Sequence, residues 1–98
     1  MHASKLNGKA NDAAALLSLL ANGKRLVIIE ELLDKEMSVG AIAEKVSLSQ
    51  SALSQHLAKL RSLNLVETRR DRQMIYYSCR SDAARRLLAT LEEIFERH

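Results

Sequence analysis

The 98-residue chain carries 15 basic and 12 acidic residues, for a net charge of +3, and its hydrophobic fraction of 47% includes only 3% aromatic residues. This length gives one domain with a modest core, which must be built from Leu, Ile, Val and Ala. The absence of proline and the presence of only three glycines favour helices over a turn-rich β fold, and the single cysteine excludes an internal disulfide and suits a reducing cytosol.

The N-terminal segment divides into a polar arm and a first helix. Residues 1–10 are predicted to form a flexible arm, and residues 11–98 to form the folded domain. Asn11 and Asp12 are residue types that favour helix N-caps, so we predict a first helix over about 12–21.

The same segment imitates a signal peptide, because Lys5 and Lys9 precede the apolar run AAALLSLLA. However, Asn11 and Asp12 stand between the charged and apolar parts, and Ser18 interrupts the apolar run. The run is also too short to span a bilayer. We therefore expect a cytoplasmic protein with no membrane partner.

A second helix, a short strand and a third helix follow. Asn22 is a candidate N-cap for the second helix. Its apolar residues recur at helical spacing, at Leu26, Ile29, Leu32 and Leu33. The segment 37–39 is too short for more than a fragment of strand, and a short third helix is predicted over about 40–46, with Ile42 and Val46 four residues apart.

The fourth helix has a defined start, end and buried stripe. Ser49 is its predicted N-cap, and the helix runs from Gln50 to about Leu63. It stops at Asn64, because asparagine, after glycine, is the residue that best adopts the left-handed conformation at helix ends. At 100° per residue, the side chains that fall together and face the core are those of Leu53, Leu57 and Leu60.

The C-terminal third alternates and then returns to a helical pattern. The run LVETRRDRQMIYYS predicts a two-stranded hairpin with a turn near residues 71–73, although this turn lacks the glycine that tight hairpins prefer. Ser81 is the predicted cap of a last helix that continues to the C-terminus. The predicted order is helix, helix, short strand, helix, helix, hairpin, helix.

The face of the fourth helix opposite its leucines is small and polar. Ser51, Gln55, Ala58 and Ser62 lie there, flanked by Ser54 and Lys59. Glutamine can read base edges, above all adenine, and the helix N-terminus favours phosphate. A short helix, the tight turn 47–49 and this helix form a helix-turn-helix, and the basic hairpin after it adds a wing. The predicted fold is therefore mainly α with a small β-hairpin wing.

The stretch SVGAIAEKVSLSQSALSQHLAKLRSLNLVETRRDRQMIYYS, residues 38–78, resembles the ArsR/SmtB family of dimeric winged-helix repressors. The segment SQHLAKLRSLNLV within it is a more specific signal than a generic helix-turn-helix pattern. The resemblance covers nearly the whole chain. It implies a homodimer paired through its first and last helices, a recognition helix in the major groove of an operator, and a wing beside the backbone or minor groove.

The charge distribution agrees with this resemblance. Residues 59–86 hold eight basic and three acidic side chains, a net charge of +5, whereas the rest of the chain sums to −2. Wing arginines could be ordinary edge-strand charges, but phosphate contact is the favoured interpretation, and adjacent arginines point to opposite sides. The predicted DNA-binding residues are Gln50, Ser51, Ser54, Gln55, Lys59, Arg69, Arg70 and Arg72.

Metal sensing is not predicted. Metal-responsive members of the family place a Cys-x-Cys pair at residues 38–40, which here read Ser-Val-Gly, or use Asp and His ligands on the last helix, which has no histidine before the terminal residue. His56 is interpreted as a half-buried structural histidine. Cys79 is interpreted as a packing residue at a strand end, with a redox switch as the alternative. We expect no cofactor, and no set of residues indicates an enzyme.

The apolar stripe of the last helix, together with the leucines of the first helix, gives more apolar surface than one small domain can bury, which predicts a homodimer. The predicted interface residues are Leu16, Leu20, Leu87, Leu88, Leu91, Ile94 and Phe95. The sequence thus predicts a metal-independent transcriptional repressor that binds a pseudo-palindromic DNA operator as a homodimer. Two alternatives stay open, namely a winged-helix module that docks on proteins and a repressor that responds to an unrecognised effector.

Overall fold

The computed structural model describes residue 6 and residues 8–96, and most of the predicted N-terminal arm lies outside these residues. The elements follow the predicted order of a winged helix-turn-helix. They are α1 (Ala10–Leu20), α2 (Gly23–Leu32), β1 (Met37–Ser38), α3 (Val39–Val46), α4 (Gln50–Ser62), β2 (Glu67–Asp71), β3 (Met74–Ser78) and α5 (Asp82–Glu96). Within the described part of the chain, no helix is long and apolar enough to cross a membrane.

Side-chain caps fix the starts of most of these helices. Asn22 accepts a hydrogen bond from the backbone N–H of Arg25 at 3.1 Å, and a serine oxygen accepts the equivalent bond at the start of α3, α4 and α5. The capping serines are Ser38, Ser49 and Ser81. The predicted caps Asn22, Ser49 and Ser81 are therefore confirmed.

The predicted start of α1 is wrong. The helix begins at Ala10 after Lys9, whose side chain makes no capping hydrogen bond, so residue 10 belongs to the helix and Asn11 and Asp12 lie in its first turn. The carbonyl of Lys9 accepts the N–H of Ala13 at 2.9 Å, which continues the helical ladder across this position. Asp12 interacts favourably with the N-terminal dipole without being the cap.

Left-handed residues end the two helices of the helix-turn-helix. Ser47 has a φ of 58° after α3, and Asn64 has a φ of 59° after α4. Behind α4, the N–H of Leu65 bonds to the carbonyl of Leu60 at 3.0 Å and that of Asn64 to Arg61 at 2.9 Å, the two bonds of a Schellman motif. The predicted stop at Asn64 is confirmed.

The wing is part of a three-stranded antiparallel sheet in the order β1-β3-β2, so the prediction of a two-stranded hairpin was incomplete. β3 pairs with β2 on one side and with β1 on the other, where Met37 faces Tyr77 and Ser38 faces Tyr76. In the two-residue wing turn, Arg72 adopts a φ of 59°, at a position where hairpins favour glycine.

The core lies between the helices and the buried side of the sheet. α4 contributes Leu53, Leu57 and Leu60, as its pattern predicted. All three are at most 1% exposed, so this helix is firmly seated on the core. Among the residues that the structure describes, the buried apolar side chains are Leu20, Ile28, Ile29, Leu32, Ile42, Ala43, Val46, Leu53, Leu57, Leu60, Leu65, Val66, Cys79, Ala84 and Leu88.

Candidate nucleic-acid interface

The polar face of α4 lies in solvent, on the side of the helix away from its three buried leucines. All the residues predicted to contact DNA from this helix are exposed, namely Gln50, Ser51, Ser54, Gln55 and Lys59. They form a row of hydrogen-bonding groups that ends in a cation. Because the buried leucines prevent the helix from rotating, the structure presents this row as a fixed surface.

A groove joins the start of α4 to the wing. Its lining includes Gln50 from α4, Gly40 from α3, and Gln73, Met74 and Ile75 from the wing. The amide nitrogen of Gln50 lies 3.7 Å from the position that a Cβ atom on Gly40 would occupy. The recognition helix and the wing therefore border one continuous surface, and the amide of Gln50 lies within it.

The two adjacent wing arginines lie on opposite faces of the sheet. Arg70 pairs with Ile75, one of the residues that line the groove beside Gln50. Arg69 pairs with Tyr76 on the other face, where its guanidinium lies 5.0 Å from the centre of the Tyr76 ring and donates to both carboxylate oxygens of Glu36, at 2.9 and 3.1 Å. The structure thus holds Arg69 against Glu36 and Tyr76, whereas Arg70 lies on the opposite face of the sheet.

Arg72 is exposed in the wing turn, beyond the last strand pair Asp71–Met74. Its place at the tip makes it the wing cation farthest from the sheet. The sequence indicated the position of the turn, but it gave no sign of the Glu36 partner, because residues 36 and 69 meet only through the sheet.

Hydrogen bonds from α2 hold α3 and α4 in place. Lys24 donates its Nζ to the carbonyl of Val46 at 2.8 Å, at the end of α3. Arg25 donates its Nε to Nδ1 of His56 at 3.2 Å and its Nη1 to the carbonyl of Leu19 at 3.1 Å. His56 is half-buried, as predicted, and burial, followed by the charges of Arg25 and Lys59, lowers its pKa below the ordinary 6.5.

Cys79 lies in the core, immediately after β3, and is fully buried. Its backbone N–H donates to the carbonyl of Leu32 at 2.9 Å. Burial raises the pKa of its thiol, which keeps the thiol protonated and unreactive. No group of three or more His, Cys, Asp or Glu side chains that could hold a metal occurs among the residues that the structure describes.

An apolar face covers α5 and its neighbours. Grooves on either side of Leu91 are lined by Leu88 and Phe95 towards α2 and by Leu20 and Leu87 towards α1. Of the predicted interface residues, Leu20 and Leu88 belong to the core of the subunit itself, whereas Ile94 and Phe95 are 49% and 71% exposed. The rest, Leu16, Leu87 and Leu91, are half-buried.

Two further exposed residues extend this face, Leu17 at 57% and Val27 at 42% exposure. Val27 was missed in the sequence because the helical pattern of α2 was assigned to a single buried stripe. The signal that could have revealed it is the continuous run Leu-Val-Ile-Ile, which is wider than one stripe requires.

A helix-turn-helix whose second helix exposes amides, hydroxyls and a cation beside a basic wing defines a winged-helix DNA-binding protein. Comparison with known families agrees with this class, because residues 22–68 match the model described as "Bacterial regulatory protein, arsR family". The nodulation protein NolR of Rhizobium meliloti is 59% identical over 86 residues, which cover 88% of this chain and 70% of NolR.

Other relatives match over most of their length. The transcriptional activator HlyU of Vibrio cholerae is 39% identical over 97% of this chain and 88% of its own. The crystal structure of NolR from Sinorhizobium fredii superposes with a TM-score of 0.87 at 54% identity, over 97% of this chain and 95% of that one.

A further similar structure is the homodimeric winged helix-turn-helix DNA-binding domain of a possible ArsR-family regulator from Mycobacterium bovis. Its TM-score is 0.81 at 30% identity, over 100% of this chain and 91% of that one. The chain therefore belongs to the ArsR family of bacterial regulatory proteins, and it is a winged helix-turn-helix DNA-binding transcriptional regulator.

Proposed function

We propose that the chain represses transcription as a homodimer bound to a pseudo-palindromic operator, with α4 in the major groove and the wing on the adjacent backbone. The observation that carries this proposal is the exposed polar row of α4, which is held on three buried leucines and joined by a groove to the wing that carries Arg70. Repression follows from occupancy, because a protein seated in the groove excludes other proteins from the same site. The proposed function is binding in the cytoplasm, without a catalytic step.

Within this proposal the residues divide into base readers and phosphate contacts. Gln50 and Gln55 have amides that donate and accept at base edges, and Ser51 and Ser54 add hydroxyls beside them. Lys59, Arg70 and Arg72 are the cations that neutralise phosphates and fix the register of the protein on the duplex.

Homodimerisation through the apolar face gives the geometry that such an operator needs. Phe95, Ile94 and Leu17 are all about half exposed or more, and an apolar face of this kind in a small domain marks an interaction site. The similar domain from Mycobacterium bovis is a homodimer. A two-fold axis through α1 and α5 would present two copies of α4 to half-sites about one turn of DNA apart.

We further propose that DNA binding does not depend on metals. The segment 38–40 offers neither sulfur nor nitrogen side chains, and Cys79 is buried in the core. We expect zinc, cadmium and arsenite to leave operator affinity unchanged in the wild type and in a Cys79→Ser control. Reversible loss of DNA binding below the metal concentrations that precipitate the protein would contradict metal independence.

The experiment that tests the main proposal starts with the selection of bound sites from random DNA, followed by affinity measurements on the selected operator and on random duplex. Gln50→Ala should cost about 1–3 kcal/mol on the operator and little on random DNA, because it removes a base contact. Arg70→Ala should weaken binding to both duplexes and reduce the salt slope by roughly one phosphate per subunit.

Two outcomes would count against these roles. If Gln50→Ala lowers the affinity for the operator and for random DNA equally, Gln50 does not read a base. Wild-type DNA binding with little salt dependence would favour the alternative in which the polar face of α4 docks on another protein. A reporter gene under the selected operator distinguishes repression from activation, the direction named for the relative HlyU.

A further inference from the structure

Arg69 belongs to a connection that crosses the whole wing sheet. Its Nε donates to both carboxylate oxygens of Glu36, at 2.9 and 3.1 Å, and its guanidinium lies over the ring of Tyr76 at 5.0 Å. Arg69 is on β2, Tyr76 is on the central strand β3, and Glu36 immediately precedes β1. The side chain therefore joins one edge of the sheet to the other across the middle strand.

This connection lies on the face of the sheet that is turned away from the core. Tyr77 packs against the core, and its pairing partners Met37 and Thr68 share its face. By strand alternation, the neighbouring row of Tyr76 and Arg69 lies on the opposite face. Arg70, one residue later, returns to the face of Tyr77 and the core.

The ion pair also neutralises the charge of Arg69. The guanidinium and the carboxylate together carry no net charge, and the hydrogen bond from Arg69 lowers the pKa of Glu36, which keeps that carboxylate ionised at neutral pH. A phosphate approaching Arg69 would meet the negative charge of Glu36, so Arg69 would release fewer counterions than an arginine without an ion pair. Arg70, in contrast, has no ion pair with another described residue within 4.0 Å.

We propose that Glu36 is a positioning residue for DNA binding: through Arg69 and Tyr76 it braces the wing on its outer face, so that Arg70 is the arginine of the pair that contacts phosphate. The inference rests on the proposed function, because it concerns the wing of the same interface. It assigns a role to an acidic residue outside the helix-turn-helix and changes the predicted role of Arg69 from contact to support.

The test compares the variants Glu36→Gln, Arg69→Gln and their combination on the selected operator and on random DNA, over a range of salt concentrations. Each single variant should weaken binding about three- to tenfold, the scale of an exposed ion pair with a cation–π contact. The double variant, which retains the wild-type net charge, should be no weaker than either single variant and should keep the wild-type salt slope, because the brace acts as one unit.

Two controls isolate the brace. Asp34, two residues before Glu36, accepts hydrogen bonds from Arg85 of α5 at 2.5 and 2.6 Å, so Asp34→Asn removes a comparable ion pair from the same loop without touching the wing. Asparagine also tolerates the φ of 64° at this position. Asp34→Asn should leave DNA affinity unchanged. Exchange of the charges in Glu36→Arg with Arg69→Glu loses the contact of Arg69 with the Tyr76 ring but should still bind DNA more tightly than either single variant, because an ion pair of either polarity joins the two edges.

The opposite results would overturn the brace. If Arg69 contacts phosphate, Arg69→Gln will reduce the salt slope as Arg70→Ala does, Glu36→Gln will leave affinity unchanged or raise it, and the charge exchange will bind worst of all. Failure of the brace leaves the effect of Arg70→Ala in place. An Arg70→Ala variant with the wild-type salt slope would instead overturn the wing contact of the proposed function, and the brace with it.

Discussion

His56 connects the recognition helix to α2 through a hydrogen bond that requires a neutral ring. Its Nδ1 accepts from Nε of Arg25 at 3.2 Å, and the charged groups that shift its titration are Arg25 on α2 and Lys59 on its own helix. A proton on Nδ1 would remove the acceptor and place a third cation beside these two. The fold therefore favours the neutral imidazole.

This preference predicts a specific pH dependence of stability. Burial and the two cations lower the pKa of His56 in the folded state below 6.5, so the unfolded chain takes up the proton first as the pH falls. The free energy of unfolding should therefore decrease as the pH falls below about 6.5. In His56→Gln, whose amide oxygen accepts without titrating, this decrease should be absent.

Urea unfolding at pH 7.5 and 5.5, at one fixed protein concentration, measures the effect for both proteins. This range stays above the region in which Asp34 and Glu36, with pKa values lowered by their arginine partners, begin to protonate. An equal loss of stability in the wild type and in His56→Gln would show that the imidazole does not control it.

Arg69 and Arg70 show where residue-level prediction ends. Strand alternation predicted that the two arginines point to opposite faces, and the structure confirms it. Which of the two arginines is held in an ion pair could not be derived, because it depends on the register between β2 and β3 and on the contact of Glu36 across the sheet. The sequence shows that residue 69 is an arginine, but it does not show that its partner is Glu36, which lies 33 residues earlier in the chain.

At the scale of elements, local signals were sufficient for the helices of the DNA-binding unit. The helix α4 begins after Ser49 and ends before Asn64 as predicted, because capping and left-handed termination depend on neighbouring residues only. The start of α1 was misplaced because Asn11 and Asp12 suit the first turn of a helix as well as its cap. The pairing of β1 with β3 was missed, since a two-residue strand is defined only by its distant partner.

The apolar pattern of α5 correctly predicted an amphipathic helix, but it did not show which of its apolar residues are buried within the subunit. Its stripe of Leu87, Leu88, Leu91, Ile94 and Phe95 indicated an amphipathic helix, which the structure confirms. Within the subunit, however, only Ala84 and Leu88 of this helix are buried. Periodicity identifies the apolar side of a helix, but the division of that side between the core and an outer surface depends on how the neighbouring helices pack.

At the scale of the whole molecule, α1, α2 and α5 form one surface, and α4 and the wing form another. The exposed apolar side chains Leu17, Val27, Ile94 and Phe95 lie on α1, α2 and α5, whereas α4 and the wing carry the polar row and the basic groups together with exposed Met74 and Ile75. Ion pairs connect the regions, since the loop between α2 and β1 binds α5 through Asp34 and the wing through Glu36. An interface on the apolar face would therefore leave the polar face of α4 and the wing free.

The dimer is tested at Leu91, which lines the grooves on both sides of α5 and is only half-buried in the subunit. Leu91→Asp should leave the core of each subunit intact but place an uncompensated charge in the interface, at a cost of several kcal/mol. Sedimentation at micromolar concentration should then show a dimer for the wild type and a monomer for the variant. Operator affinity should fall steeply, because one subunit holds only one half-site, while helical content stays unchanged.

Thr90→Ser is the matched control on the same helix, since Thr90 borders the groove with a hydroxyl that serine keeps. A monomeric wild type, or a Leu91→Asp protein that remains dimeric, would contradict an interface built on α5.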